Sequence, residues 1–393
     1  GPEPDAVGRE LAGGAARDRA KATNQSMTPG LAIESLFTDR STGWPSRMRL
    51  IGTSSFLPEM VRGTSGTANT SLGTWRADSF VRMASSSACL SAALLFSPAL
   101  IAQTLTWQGQ SVSLKHTPRN IAVYELSALD TLQALGVNAS IVPDAVFPAT
   151  LAAYNQGKAT KAGSLFEPDV AVLSAQKPDF IIVGGRSKAK QDTVKDLAPT
   201  LDLSPNTDHY MADLQARTEL LANTFGKQAQ AAKRMQIIQT KQAKLKAQTQ
   251  GKTALMLFTN KGNFMPHAEG ERFGFVYDFA GLKSVLPVVP PKDENAPAQP
   301  RPEAGSPAAE AAKVKAAERL QAAVNQQPDY LIVLDRGAVN TNDYTAAAEM
   351  QKNPILQQAK GKVIMVDANA WYLTGAGLAN TELMLDELIK ATQ

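Results

Sequence analysis

The sequence predicts an α/β protein of two similar lobes, each built on a buried parallel sheet, with a helical bridge between them. Three features carry this reading: a strand repeated in the two halves of the chain, an alternation of short apolar runs with helical patterns around each copy, and a helical stretch that separates them. At 393 residues the chain exceeds one ordinary core and has room for two domains plus appendages.

The repeat pairs Q-K-P-D-F-I-I-V-G-G-R, ending at Arg186, with Q-Q-P-D-Y-L-I-V-L-D-R, ending at Arg336. In each, a proline that stops a preceding helix (Pro178, Pro328) is followed by an apolar run too short for a helix, which is how a strand buried on both faces reads. Each run opens onto a loop at its arginine. Ligands of open α/β sheets sit beyond the carboxyl ends of the strands, so two facing lobes would carry a guanidinium group on each lip.

Around the first copy the pattern gives a strand over Ile121–Tyr124, a helix over Ser127–Leu135 and a strand near Ser140–Val142, before the Phe180–Val183 strand. Around the second it gives strands at Ala254–Thr259, Tyr330–Leu334 and Val363–Val366, with a closing helix from about Ala379 to Lys390. Between them, Tyr210–Gln248 is helical in pattern, with Leu214, Leu221 and Phe225 on one side and Gly226 as a break. Such a bridge is stiffer than crossing strands, and closure should be small. The predicted domains are 104–209 for the first lobe, 210–250 for the bridge and 251–393 for the second lobe. Within the last, 287–318 includes P-P-K-D-E-N-A-P-A-Q-P-R-P-E-A-G-S-P and reads as a flexible insertion, a solvated loop or a lid, in which Ala308–Leu320 is able to become helical.

Residues 1–103 stand outside this plan. From Met83 to Gln103 a short apolar run follows Arg82 and ends in small residues, the form of a secretory signal peptide with a mature start near Thr104. Serines and Pro98 interrupt it too soon for a membrane span, and Cys89 lacks the preceding leucine of a lipid anchor. Gly1–Arg82 has no sustained period and reads as disordered or non-native, through an overextended gene start or a tag remnant at Gly1-Pro2. The expected location is the periplasm of a Gram-negative bacterium.

Composition narrows the function. A chain 44% hydrophobic and 19% charged fits a soluble globular protein. Its single cysteine excludes an internal disulfide and a cysteine-built zinc site. The net charge of +4 comes with interspersed lysines and glutamates and no long basic run, which argues against nucleic acid. The chain has no G-x-S-x-G elbow, P-loop, H-E-x-x-H or strand-borne G-x-G-x-x-G, and few pairings of nucleophile with base.

Taken in order, R-N-I-A-V-Y-E-L-S-A-L-D-T-L-Q-A-L-G-V, G-S-L-F-E-P-D, K-P-D-F-I-I-V-G-G-R, E-R-F-G-F-V-Y-D, P-D-Y-L-I-V-L-D-R and A-W-Y-L-T-G-A-G resemble the helix-bridged (class III) periplasmic binding proteins of siderophore and vitamin B12 importers. Within these the chain is most similar to the branch for ferric catecholates such as enterobactin breakdown products, over most of 119–393. The resemblance implies two Rossmann-like lobes bridged by a long α-helix, no catalytic residue, no tightly bound cofactor, a ferric siderophore as ligand, and a monomer that serves an inner-membrane ABC permease. It implies a cleft with an arginine triad, matched here by Arg186, Arg272 and Arg336. Physical chemistry agrees, because a ferric tris-catecholate carries a triple negative charge and arginine supplies a permanent, weakly hydrated cation with paired donors. A cation about 4 Å from an anionic oxygen contributes at most ~4 kcal/mol before desolvation, at an effective dielectric constant near 20. The other reading pairs Arg336 with Asp335 and Arg272 with Glu271.

Some members coordinate iron directly through a histidine and a tyrosine. The tyrosine motif survives as Trp371 and Tyr372, which makes Tyr372 a metal ligand if the siderophore is tetradentate. The histidine does not survive: its place is taken by the Pro-rich insertion, and His267 is either a substitute or a surface residue. Trp371 and Tyr372 either line the cleft or belong to the core, with Phe264, Phe147 and Tyr154 as weaker candidates for the same aromatic surface. For permease docking the second lobe offers Asp278; on the first the matching position is Ala171, with Glu167 and Asp169 nearby as substitutes, or simply as solvated helix ends. Binding of haem or a corrinoid is the alternative ligand class, and an α/β enzyme the alternative activity.

Overall fold

The computed structural model describes residues 102–293 and 295–393; the signal-peptide and start-site readings, Cys89 among them, lie outside the described residues. Each lobe has a sheet of five strands. In the first, β3 (Ile121–Val123), β4 (Ile141–Val142), β5 (Thr160–Lys161), β6 (Phe180–Val183) and β7 (Thr200–Asp202) pair in parallel in the order β5-β4-β3-β6-β7. In the second, β8 (Thr253–Asn260), β10 (Lys283–Ser284), β11 (Tyr330–Asp335) and β12 (Lys362–Met365) run parallel in the order β10-β8-β11-β12. There β9 (Asn263–His267) is added antiparallel to β8. The near-continuous apolar strands F-I-I-V and L-I-V-L are buried on both faces, because helical segments cover both sides of a parallel sheet.

Ahead of the first sheet lies an antiparallel hairpin, β1 (Gln103–Trp107) with β2 (Gln110–Leu114), which the sequence reading did not include. It is fastened to β7 by the Gln110 amide, whose Nε2 donates to the Asp202 carbonyl at 2.9 Å and whose Oε1 accepts from the Asp202 N–H at 2.8 Å.

The bridge is two helices, Tyr210–Phe225 and Gln228–Gln248, in place of one long one. Gly226 ends the first with φ +67°, a left-handed conformation that glycine adopts without Cβ strain. The first helix touches both lobes. Tyr210 Oη lies 2.8 Å from Thr381 Oγ1 in the second lobe, while Thr224 O accepts from Gln103 in the first. The second helix lies on the last helix of the chain, Leu378–Ala391, where Lys241 pairs with Glu382 and Asp386. One cluster of buried apolar side chains runs from Leu129 and Leu132 through Leu214 and Ile238 to Trp371 and Leu385, so the lobes share a core.

The Pro-rich insertion is shorter than its composition suggests. Ser306 caps a helix over Pro307–Asn325 by accepting from the Ala309 N–H at 3.1 Å, with Pro307 in the first turn, where its missing N–H costs nothing. Leu320, Ala323 and Val324 bury one stripe of that helix against the second sheet. Irregular backbone is therefore confined to the stretch before Ser306.

A buried polar network crosses between the lobes. Asp130, on the first-lobe helix Leu126–Ala134, accepts from the Asn380 N–H at 2.8 Å and so caps the second lobe's last helix. Arg217 is 1% exposed; its Nε donates to Asp213 at 2.7 Å, its Nη1 to Ser127 at 3.1 Å and its Nη2 to the Ala376 carbonyl at 2.8 Å. Gly377 fits beneath Asp130 only because it has no side chain, since a Cβ there would lie 2.4 Å from a carboxylate oxygen. Its φ of −91° suits any residue, so a substitution tests the close approach alone. Gly377→Ala should cost about 1–3 kcal/mol in urea denaturation, and much less in an Asp130→Gly background, which also removes the Asp130 Cβ that would stand 2.7 Å away. An equal cost in both backgrounds would show that the carboxylate does not set the fit.

Candidate functional site

The two repeated strands deliver their arginines to the same place. Arg186 follows β6 in the first lobe, Arg336 follows β11 in the second, and Arg272 lies on the loop after β9. Their guanidinium carbons stand 5.3, 4.5 and 4.8 Å from the centroid of the Tyr372 ring, within the range of cation–π attraction. Arg186 spans the gap between the lobes, with Nη2 donating to the Tyr372 carbonyl at 2.8 Å. Arg272 also lies over Phe273, at 4.9 Å.

Neither neighbouring acid forms an ion pair with the arginine beside it. Asp335 is occupied by backbone donors: its Oδ1 accepts from Gly337 and its Oδ2 from Thr345 and Ala346, each at 3.0 Å. Glu271 pairs with Arg319 instead of Arg272. Burial alone would raise the pKa of Glu271, but the hydrogen bonds from Arg319 and the Ala268 N–H carry it below its ordinary value. The Nε of Arg336 is buried and has no hydrogen-bond partner among the described residues.

Tyr372 sits in a π-helical turn, Ala370–Thr374, between β12 and the last helix. Asn380 holds that turn, its Nδ2 donating to the carbonyls of Ala370 at 2.8 Å and Gly375 at 2.7 Å. Phe258 stacks on the Tyr372 ring at 6.1 Å and 9°. Trp371 does not line the cleft. It is 2% exposed, stacks on Phe275 at 5.8 Å and donates from Nε1 to Glu387 at 2.8 Å, so adjacent aromatics in one turn divide between core and site. Burial raises the pKa of Glu387 above the usual carboxylate range, with the Trp371 bond acting against it.

His267 is a structural histidine. Its Nδ1 accepts from the Phe273 N–H at 3.2 Å and its ring stacks on Phe273, which fixes the loop that carries Arg272. Phe258 is the ring that both His267 and Tyr372 approach. Among the described residues no three His, Cys, Asp or Glu side chains are grouped to hold a metal ion. Of the weaker aromatic candidates, Phe147 and Tyr154 are buried together at 5.7 Å, with Lys161 and Lys158 over their rings, and Phe264 belongs to the second-lobe core.

The three acids named for docking differ. Asp278 is 93% exposed, with Lys246 Nζ at 3.9 Å, and Glu167 is 73% exposed, with Lys190 Nζ at 3.4 Å. Asp169 caps the Val170–Gln176 helix by accepting from the Val172 N–H at 3.1 Å. The positions supporting the site that sequence reasoning did not single out are Phe258, Arg217, Asp130 and Asn380; of these only Asp130 lies in a quoted segment, where its spacing marks it as nothing more than a helix residue.

Burial lowers the pKa of His267 from 6.5 to about 4. The unfolded chain therefore binds a proton there at a higher pH than the folded one, and this site's stabilising contribution is complete above pH 6.5 and lost as the pH falls towards 4. The loss is on the order of 3 kcal/mol. His267→Asn should flatten the fall in urea midpoint across that window. An unchanged slope would contradict the assignment.

Comparison with known proteins accords with this geometry. The family model for periplasmic binding proteins matches residues 121–369. The chain is 30% identical over 298 residues to the ferric-anguibactin-binding protein FatB of Vibrio anguillarum, covering 72% of this chain and 85% of that one. It is 27% identical over 285 residues to the petrobactin-binding protein YclQ of Bacillus subtilis, covering 69% and 81%. Among solved structures, the siderophore-binding protein BauB, bound to two acinetobactin molecules and ferric iron, superposes with a TM-score of 0.63 at 23% identity, covering 75% of this chain and 99% of that one. The fold is the class III arrangement of two parallel-sheet lobes, and the chain belongs to the periplasmic binding protein family, whose members bind ligands and do not turn them over.

Proposed function

We propose that this protein captures an anionic ferric siderophore outside the cytoplasm, in the cleft between its lobes, and passes it to an ABC permease. The observation that carries the reading is the convergence of Arg186, Arg272 and Arg336, from both lobes, on one buried tyrosine. Iron arrives as a finished chelate, and the protein's task is to recognise charge and shape. Guanidinium groups donate paired hydrogen bonds to the chelate's anionic oxygens, and their planar cations lose less hydration than lysine would. The buried, unsatisfied Nε of Arg336 adds a donor that an incoming oxygen would satisfy.

The ligand class we favour is the catecholate, because its ferric complex has the high negative charge that three cations suit. The relatives with named ligands support a siderophore and differ in which one. Tyr372 packs beneath the chelate, and with a tetradentate siderophore its phenolic oxygen supplies an iron ligand. No resident cofactor enters this function. Asp278 and Glu167 are the exposed acids we assign to permease contact, a role that uptake by cells carrying Asp278→Lys addresses.

A titration of the mature domain with ferric tris-catecholate, followed by its visible charge-transfer band, tests the site. Each Arg→Ala change among the three should weaken binding about 10- to 100-fold, the worth of a charge-assisted hydrogen bond, and the triple variant should weaken it further while remaining folded. Equal affinity in wild type and triple variant would refute the proposal. With a tetradentate chelate, Tyr372→Phe should shift the band. An unchanged band would remove Tyr372 as a ligand.

A further inference from the structure

Beside the arginine cluster, the same two lobes enclose a second space of opposite character. It is a cavity of about 280 Å³, bounded by Phe147 and Ala149 of the first lobe and by Asn340, Asn342, Asn369 and Asn380 of the second. Its lining runs on along the chain from the arginine site. Asn340 and Asn342 continue the loop that begins at Arg336, and Ala370, which also lines the cavity, starts the turn that carries Tyr372. No lysine or arginine lines it, and its only charged group is Asp367, whose Oδ1 accepts from the Ala370 N–H at 3.0 Å.

The lining is neutral apart from Asp367: each asparagine offers both a donor and an acceptor, and the Thr150 hydroxyl is buried without a hydrogen-bond partner among the described residues. Asn380 is fully buried, and its two Nδ2 bonds to the carbonyls of Ala370 and Gly375 fix which way the amide points. Its Oδ1 is left without a hydrogen-bond partner among the described residues. A buried amide oxygen in that position costs stability unless something donates to it. With Asp367 as its one charge the space disfavours an anion, and the Asn380 oxygen suits an N–H or O–H donor. Asn369 Oδ1 is already engaged, accepting from the Asn340 N–H at 2.8 Å, so the acceptors that meet a ligand are Asn380 and the rim amide of Asn342, with the Thr150 hydroxyl beside them.

We propose that the cleft is a two-part site, in which this cavity receives a neutral, hydrogen-bond-donating arm of the chelator while the arginines hold the ferric end. The inference rests on the siderophore reading above and adds to it a class of ligand: a chelator with its anionic groups at one end and amide or hydroxyl donors in its linker. Charge sets the orientation, since the anionic end is drawn to the three arginines and excluded from the asparagines.

Two synthetic probes of equal charge and length test it: ferric complexes of a bis-catecholate whose linker carries amide N–H groups, and of one with ether oxygens in their place. Wild type should bind the amide probe about tenfold more tightly, the worth of one or two hydrogen bonds to buried acceptors. That ratio should fall towards one in Ala149→Trp, which blocks the cavity, and in Asn342→Gly, which removes the rim amide at a residue whose φ of +54° glycine tolerates. Arg336→Ala should weaken both probes together and preserve the ratio. A wild-type ratio of one, or a ratio unmoved by both cavity variants, overturns the two-part site and leaves the arginine reading intact. Failure of wild type to bind either probe overturns both.

Discussion

The carboxylate of Asp130, seated against the backbone of Asn380, fixes the relation between the lobes on which the cleft depends. Asp130 comes from the first lobe's first helix and Asn380 from the first turn of the second lobe's last helix. Asn380 in turn grips the turn that carries Tyr372, and Arg217 holds the Ala376 carbonyl two residues beyond that turn's end. The tyrosine ring is thus positioned by a chain of buried polar contacts that begins in the opposite lobe. Such buried contacts hold the two lobes in register, while Asp130 Oδ1 and Asn380 Oδ1 have no hydrogen-bond partner among the described residues. The shared apolar core beneath them makes separation of the lobes a disruption of packing and not a free hinge motion.

That rigidity explains how one small region can collect three cations. A guanidinium group on a mobile loop would lose conformational entropy on binding, whereas these project from the ends of buried strands or from a loop pinned by His267. The aromatic surface of Tyr372, backed by Phe258, gives planar cations an apolar wall to lie against without removing their N–H groups from use. On the two-part reading proposed above, the asparagine-lined cavity, which no lysine or arginine lines, would extend the cleft from a cationic to a neutral end. A ligand with a matching gradient would bind in one orientation.

Much of this was legible in the chain, for physical reasons. Buried parallel strands need continuous apolar runs, so F-I-I-V and L-I-V-L announced themselves, and the arginine at the end of each followed from where α/β sheets bind ligands. Arg272 has no such strand signal and was placed by resemblance alone. The β1–β2 hairpin was legible, since T-L-T-W and S-V-S-L alternate about Gln108-Gly109, but it went unread because it abuts the signal-peptide pattern that ends at Gln103. Strands of two residues such as β5 and β10 lie below the length at which any period shows. The division of Trp371 from Tyr372 depends on a π-helical turn, which side-chain pattern does not specify. Asp130 was read as an ordinary helix residue because its partner lies 250 positions away.

The central claim is that the cleft selects its ligand by charge, through guanidinium groups contributed by both lobes. Titration of the protein with two ferric chelates of similar size, a triply negative tris-catecholate and a neutral tris-hydroxamate, measures that selection most directly when repeated at low and high salt. The account predicts strong preference for the anionic chelate, with affinity that falls steeply as salt rises, and weak, salt-insensitive binding of the neutral one. Equal affinity for the two, unaffected by salt, would contradict it.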